Sequence, residues 1–90
     1  MATTYIITWD IKSEERVTKV IEKLKETNFF CPIHANAWAI RTEQKATEIR
    51  DSLLSLTVSP DKIFVIRTGT ESAWSGSYGE KNVDWLKKYL

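Results

Sequence analysis

Three side chains have types that could do chemistry, and Asp10 comes first because it ends a strand-like segment where a helical pattern begins. A carboxylate at that point either takes part in chemistry or caps the following turn through hydrogen bonds with backbone N–H groups. His34 is the only histidine and has no companion ligands at metal spacing, so we expect a loop or strand-end residue, with general-base use as the alternative. Cys31, beside aromatic residues, is expected to be a small buried hydrophobe and not a nucleophile.

Three further side chains are candidates for binding. Trp74 lies in the polar segment "TESAWSGSYGE", outside any apolar periodicity, and either folds back onto the core or, with Tyr78, stacks on a base or a partner. Arg41 and Arg67 end two strand-like segments that should neighbour the strand of Asp10. They could gather positive charge near that carboxylate, and an ion pair explains them equally well.

The composition excludes several classes of protein. With 13 Lys and Arg against 12 Asp and Glu in 90 residues, the net charge is +1, so any binding to a phosphate backbone would need a local basic patch. The sequence contains neither a G-x-S-x-G motif nor a glycine-rich phosphate loop. A serine-hydrolase triad and a P-loop nucleotide site are therefore unsupported.

The single cysteine and the hydropathy pattern indicate the compartment. One cysteine cannot form an internal disulfide, which points to a reducing environment. No stretch approaches the ~20 apolar residues that cross a bilayer, and the N-terminus has no basic segment followed by an apolar run. We therefore expect a soluble, cytoplasmic protein with no membrane partner.

The elements that must position the candidate residues follow the order β-α-β-β-α-β with a short helix at the end. Ser13, followed by two glutamates, is expected to be the N-cap of the first helix. The second helix should begin at Thr42 or Glu43 and end before Ser59-Pro60. Alternating or apolar patterns predict strands over residues 5–11, 29–33, 37–42 and 62–68, and a terminal helix over residues 81–90.

This order predicts a ferredoxin-like α+β domain over residues 1–90, with two helices on one face of an antiparallel four-stranded sheet. The apolar run Ile63 to Ile66 predicts burial on both faces, either in a central strand or under a second subunit. The other face of the sheet also needs cover. We expect a second copy of the chain in a two-fold dimer, with partial cover by the terminal helix as the alternative.

Several segments add a family likeness. "YIITWDI", opening a chain of this topology, resembles the CRISPR-associated ferredoxin-like proteins of the Cas-two type and the related VapD-like proteins. "ATEIRDSLL", "DKIFVIRTGTESAWSG" and "WLKKYL" are similar to the SinR family of small bacterial proteins. The wider resemblance implies a homodimer in which two copies of Asp10 hold Mg²⁺ or Mn²⁺ at the interface for phosphodiester hydrolysis. The basic stretch of nucleic-acid-binding relatives is missing, since "NFFCPIHAN" occupies that place.

Three functions follow as hypotheses. The first is a homodimeric binding or structural module for RNA or DNA, with Arg41, Arg67 and Trp74 as contacts. The second is a metal-dependent ribonuclease or deoxyribonuclease with Asp10 as catalytic metal ligand. The third is a protein-interaction module without nucleic-acid contact, which the near-neutral charge favours.

Overall fold

The computed structural model describes residues 2–90 and has the predicted element order. All strand pairs are antiparallel, and the strands lie in the order β2-β3-β1-β4. This is an α+β fold of the ferredoxin-like type, which confirms the prediction from the sequence. The elements are β1 (Thr3–Asp10), α1 (Glu14–Lys25), β2 (Phe30–His34), β3 (Ala37–Thr42), α2 (Ala46–Leu54), β4 (Lys62–Arg67) and α3 (Glu80–Tyr89).

Local sequence explains where α1 begins and ends. Ser13 is its N-cap, and the Ser13 hydroxyl accepts a hydrogen bond of 3.3 Å from the backbone N–H of Arg16, as predicted. Acidic residues occupy the first turn and lysines the last, which suits the helix dipole. After the helix, Asn28 adopts a positive φ of 63°, a conformation that asparagine tolerates better than most residues.

The hairpin of β2 and β3 also follows the sequence. Trp38 and Ile40 share one face of β3, while Ala37, Ala39 and Arg41 share the other. Pro32 lies in β2, an edge strand of the sheet, where its missing N–H costs no ladder hydrogen bond, and the register shifts just after it.

One face of the sheet and the helices α1 and α2 enclose the main core. The two helices contribute four side chains that are fully or almost fully buried. These pack against large side chains on β1 and β3. Burial of each such side chain stabilises the fold by roughly 1.5–3 kcal/mol. The buried members are Tyr5, Ile7, Trp9, Val20, Leu24, Trp38, Ile40, Ile49 and Leu53.

Helix α3 covers part of the second face of the sheet. Leu86 is buried against Cys31 and Ala39, so the helix lies over β2 and β3. Ile6, Ile33, Trp85 and Leu90 pack around this smaller cluster. The expectation of partial cover by the terminal helix is therefore confirmed. None of the helices in residues 2–90 combines the length and apolar character that crossing a membrane requires.

Strand β4 is at the edge of the sheet, next to β1, so the expectation of a central strand is wrong. Ile63 and Val65 are half-buried against the main core. Phe64 and Ile66, on the other face, are 62% and 51% exposed because α3 does not reach β4. Cover by a second subunit, the other explanation for this apolar run, stays a prediction.

Candidate functional site

The predicted site residues lie at two different ends of the sheet. Arg41 is opposite Thr4 and Arg67 is opposite Tyr5, whereas Asp10 is opposite Lys62 at the far end of β1. Because β3 and β4 run antiparallel to β1, both strands end where β1 begins. Asp10 is five positions after Tyr5 along the strand, a span of roughly 17 Å. The prediction that the two arginines gather positive charge near Asp10 is therefore wrong.

Asp10 lies at an exposed position. Its side chain is 57% exposed, and Oδ1 is 3.0 Å from Nζ of Lys12. An ion pair between two exposed groups stabilises little. Among residues 2–90, no group of three or more His, Cys, Asp or Glu residues could hold a metal ion. The metal site between two copies of Asp10 that the resemblance implies therefore stays a prediction.

Asp10 borders a shallow recess of about 480 Å³ between β1 and β4. Phe64 and Lys62 line the same recess, on the face of the sheet that α3 leaves open. Asn36 donates from Nδ2 to the carbonyl of Trp9 at 3.3 Å, and the backbone N–H of Trp9 donates to the carbonyl of Asn36. These bonds join the β2–β3 turn to the end of β1 and fix the backbone beside Asp10.

The carboxylate that anchors this end of the fold is Asp61, which was not predicted from the sequence. Arg16 donates to both Asp61 oxygens, from Nε at 2.7 Å and Nη2 at 3.0 Å. The backbone N–H of Val58 donates to the same carboxylate. The Arg16 hydrogen bonds lower the pKa of Asp61 to about 2. Asp61 therefore ties α1 to the segment before β4, a link between distant residues with no local sequence signal.

The end of the sheet with the two arginines contains a larger groove, of about 600 Å³. Its apolar lining is Ile6, Ile66 and Leu90, from β1, β4 and the end of the chain. Residues 67–72 supply its polar lining: one guanidinium, three hydroxyls and one carboxylate. Both the backbone N–H and Oγ1 of Thr68 donate to the carbonyl of Thr4, at 3.0 and 3.1 Å. This pair of bonds fixes the start of the loop that forms the groove.

Arg41 is half-buried at the same end of the sheet, where it lines a different recess with Phe29 and Thr42, and it has structural partners. Its Nη1 donates to Oγ1 of Thr4 at 3.2 Å, and its guanidinium lies 4.9 Å from the ring centroid of Tyr89. Nζ of Lys88 lies 5.3 Å from the same centroid, and the Trp85 ring packs against Tyr89. Of these contacts, the one between Arg41 and Tyr89 joins the end of α3 to β3. Arg67, in contrast, is exposed at the groove.

Trp74 follows the groove by two residues. It is 36% exposed, more than Trp9 or Trp38, which are core residues. Tyr78 is half-buried, and its ring centroid lies 6.0 Å from that of His34, the last residue of β2. His34 is therefore a strand-end residue, as expected. Trp74 therefore stays the aromatic residue of this loop that is a candidate for stacking on a base or a partner.

Cys31 is a buried residue, as predicted. It is enclosed by Ala39 and Leu86 beneath α3. Burial raises the pKa of its thiol, which disfavours the nucleophilic thiolate.

Comparison with known proteins assigns no family: no family model matches the sequence, and no curated protein matches it. The resemblance to the SinR family and the Cas-two type stays a prediction.

Proposed function

We propose that this protein is a homodimeric nucleic-acid-binding module that uses the groove at the end of β4. The observation that supports this most directly is the lining of the groove, where apolar Ile6 and Ile66 meet Arg67 and several hydroxyls. A nucleotide offers a flat base and an anionic phosphate, and proteins bind these with apolar or aromatic surfaces and with arginine or hydroxyl donors.

The positions of the three predicted contacts support the same surface. Arg41 lies near the end of β3 and Arg67 at the end of β4, the two strands that flank β1, so both are at one end of the sheet. Trp74 belongs to the loop that continues from the groove. Lys88 adds a cation beside Tyr89. A chain with a net charge of +1 needs a local concentration of positive charge to bind a phosphate backbone, and Arg67 is the cation that lines the groove.

Homodimer formation is proposed for the neighbouring part of β4. Phe64 is 62% exposed on a strand whose outer edge has no partner strand within residues 2–90. An exposed apolar edge strand is a template for pairing with another chain unless it is protected. A second copy bound across Phe64 would cover this edge.

Equilibrium binding to fluorescent RNA and DNA oligonucleotides tests the proposal. We expect affinity to fall steeply between roughly 50 and 200 mM salt, since phosphate contacts release counterions. Arg67→Gln should weaken binding roughly threefold to tenfold and reduce the slope of log K against log salt by about 0.7–0.9.

Lys19→Gln is the matched control, because it removes one exposed cation from α1 on the other side of the sheet. We expect it to change affinity less than Arg67→Gln. Binding that ignores salt, or equal effects of the two variants, would contradict the groove as a phosphate-binding surface. Absence of binding would favour a protein-interaction module.

A metal-dependent nuclease is the second candidate, and one observation favours it. Asp10 and Phe64 line the same recess, so a second copy bound across Phe64 would bring its own Asp10 to this region. Two such carboxylates would suit Mg²⁺ or Mn²⁺, which in nucleases stabilise the attacked phosphate and activate water.

Asp10→Asn tests this candidate. With Mg²⁺ or Mn²⁺ present, hydrolysis of single- or double-stranded substrates by the wild type should be lost in the variant, while dimerisation and oligonucleotide affinity remain. Wild-type protein without hydrolysis, or equal rates in both proteins, would rule out Asp10 as a catalytic ligand.

A further inference from the structure

We infer that the groove at the end of β4 receives one unpaired nucleotide, so that the ligand is a single strand and not a duplex. This inference rests on the proposed nucleic-acid function and specifies its substrate class. The ligand is defined by the groove chemistry, and RNA and DNA strands share that chemistry.

The groove has a size that suits one nucleotide. A volume of about 600 Å³ lies in the range of sites that enclose small molecules, roughly 300–1,000 Å³. A nucleotide that has left a base stack is a ligand of that kind. In a duplex the base faces are stacked on one another, so a duplex would present only its backbone and base edges to the protein.

The apolar lining of the groove suits the face of a base. Ile66 is 51% exposed, and Ile6 and Leu90 beside it are half-buried. Phosphate and sugar groups gain little from such a surface. The face of an unstacked base is apolar and loses its contact with water when it packs there. Contact with a duplex backbone would leave Ile66 exposed to solvent.

The polar groups around the groove follow an order that suits a phosphate at one end and a base or sugar at the other. Arg67 is at the β4 end of the loop, and Glu71 follows four residues later. The guanidinium favours the phosphate at the β4 end, while the carboxylate repels it and accepts hydrogen bonds from base amino groups or sugar hydroxyls. The Thr68 hydroxyl is already oriented by its bond to the Thr4 carbonyl, which leaves its oxygen free to accept a hydrogen bond.

Four fluorescent probes of equal length test the inference: single-stranded RNA, single-stranded DNA, a blunt duplex and an abasic single strand. The abasic strand carries the phosphates without the bases. We expect the single strands to bind roughly tenfold more tightly than the duplex and the abasic strand, because only an unpaired base can bury its face against Ile6, Ile66 and Leu90.

Two variants separate the base contact from the phosphate contact. Ile66→Ser should weaken binding of the two intact single strands severalfold and leave the abasic strand unchanged. Arg67→Gln should weaken binding of all four probes. Leu54→Ser, at an equally exposed apolar position at the end of α2, is the control for the loss of a surface side chain. Circular dichroism and the sedimentation coefficient of each variant confirm an unchanged fold and oligomeric state.

The outcomes distinguish this inference from the function on which it rests. Equal affinity for single strand and duplex, with no effect of Ile66→Ser, would overturn the inference and leave nucleic-acid binding intact. Salt-insensitive or absent binding of every probe would overturn both. Selective loss of intact single-strand binding in Ile66→Ser would support both.

Discussion

The two faces of the sheet differ in how completely the chain covers them. On one face, α1 and α2 enclose a core in which Ile7 and Leu53 have no solvent exposure. On the other, α3 covers β2 and β3 but leaves Phe64 and Ile66 of β4 exposed. The larger buried core therefore lies on the first face, and the smaller cluster around Leu86 lies on the second. The open half of the second face is available for binding.

Strand β4 shows this difference within six residues. Ile63 and Val65 pack against the main core, whereas Phe64 and Ile66 point to the open half. The side chains are similar in hydrophobicity, so their different burial reflects the elements above and below the strand. Apolar residues that remain exposed next to a groove mark an interaction surface.

The largest expected effect is the loss of core packing. Leu53→Ala should lower the free energy of unfolding by about 2–5 kcal/mol, because it removes a fully buried side chain. Phe64→Ala should change it by less than about 0.5 kcal/mol, as is usual at exposed positions. Urea denaturation, at concentrations where the protein is monomeric, measures both values. A similar loss in both variants would show that the two faces are equally buried.

The next largest effect concerns self-association through the open half. Phe64→Lys should weaken the proposed dimer roughly 30-fold. This corresponds to a loss of about 2 kcal/mol of binding free energy, which is typical when a central interface residue is removed. Analytical ultracentrifugation over a concentration series measures this change. Leu54→Lys, at an exposed position on the helix side, is the control and should leave the association constant unchanged. A wild-type protein that stays monomeric would remove the dimer from the account.

Local patterns predicted the helices and strands better than they predicted which strands lie next to one another. The Ser13 cap and the alternating faces of β3 are local patterns, and both are confirmed. The apolar run of β4 does not reveal which strands lie beside it, so it predicted either a central strand or cover by a second subunit. The position of β4 at the sheet edge excludes the first alternative, and the second stays a prediction. The groove could not be predicted, because Leu90 meets Ile6 and Ile66 only through the docking of α3.

One error was avoidable from topology alone. In an antiparallel sheet, strands that flank β1 end beside its first residues, so Arg41 and Arg67 had to lie away from Asp10. Asp61 is a different case. Its link to Arg16 joins residues 45 positions apart, and nothing in the local sequence distinguishes it from an ordinary turn aspartate.

The smallest expected effect is the pH dependence of the stability that the Arg16–Asp61 ion pair contributes. The pKa of Asp61 is about 2 in the folded protein and about 3.9 in an unfolded chain. The ionised carboxylate therefore stabilises the fold above pH ~4, and this stabilisation is lost as the pH falls towards about 2. Asp61→Asn should flatten the dependence of urea stability on pH in this window, whereas Asp51→Asn on the exposed side of α2 should not. Parallel curves for wild type and Asp61→Asn would contradict the role of the Arg16 link.

The central claim is that the open half of the second face, at the groove, binds nucleic acid. Backbone amide chemical shifts of the ¹⁵N-labelled protein, recorded during titration with a short single-stranded oligonucleotide, test it most directly. We predict that the largest changes occur at Ile6, residues 66–72 and Leu90, with a change at the Trp74 indole N–H. Changes concentrated on α1 and α2, or no changes at all, would contradict the claim.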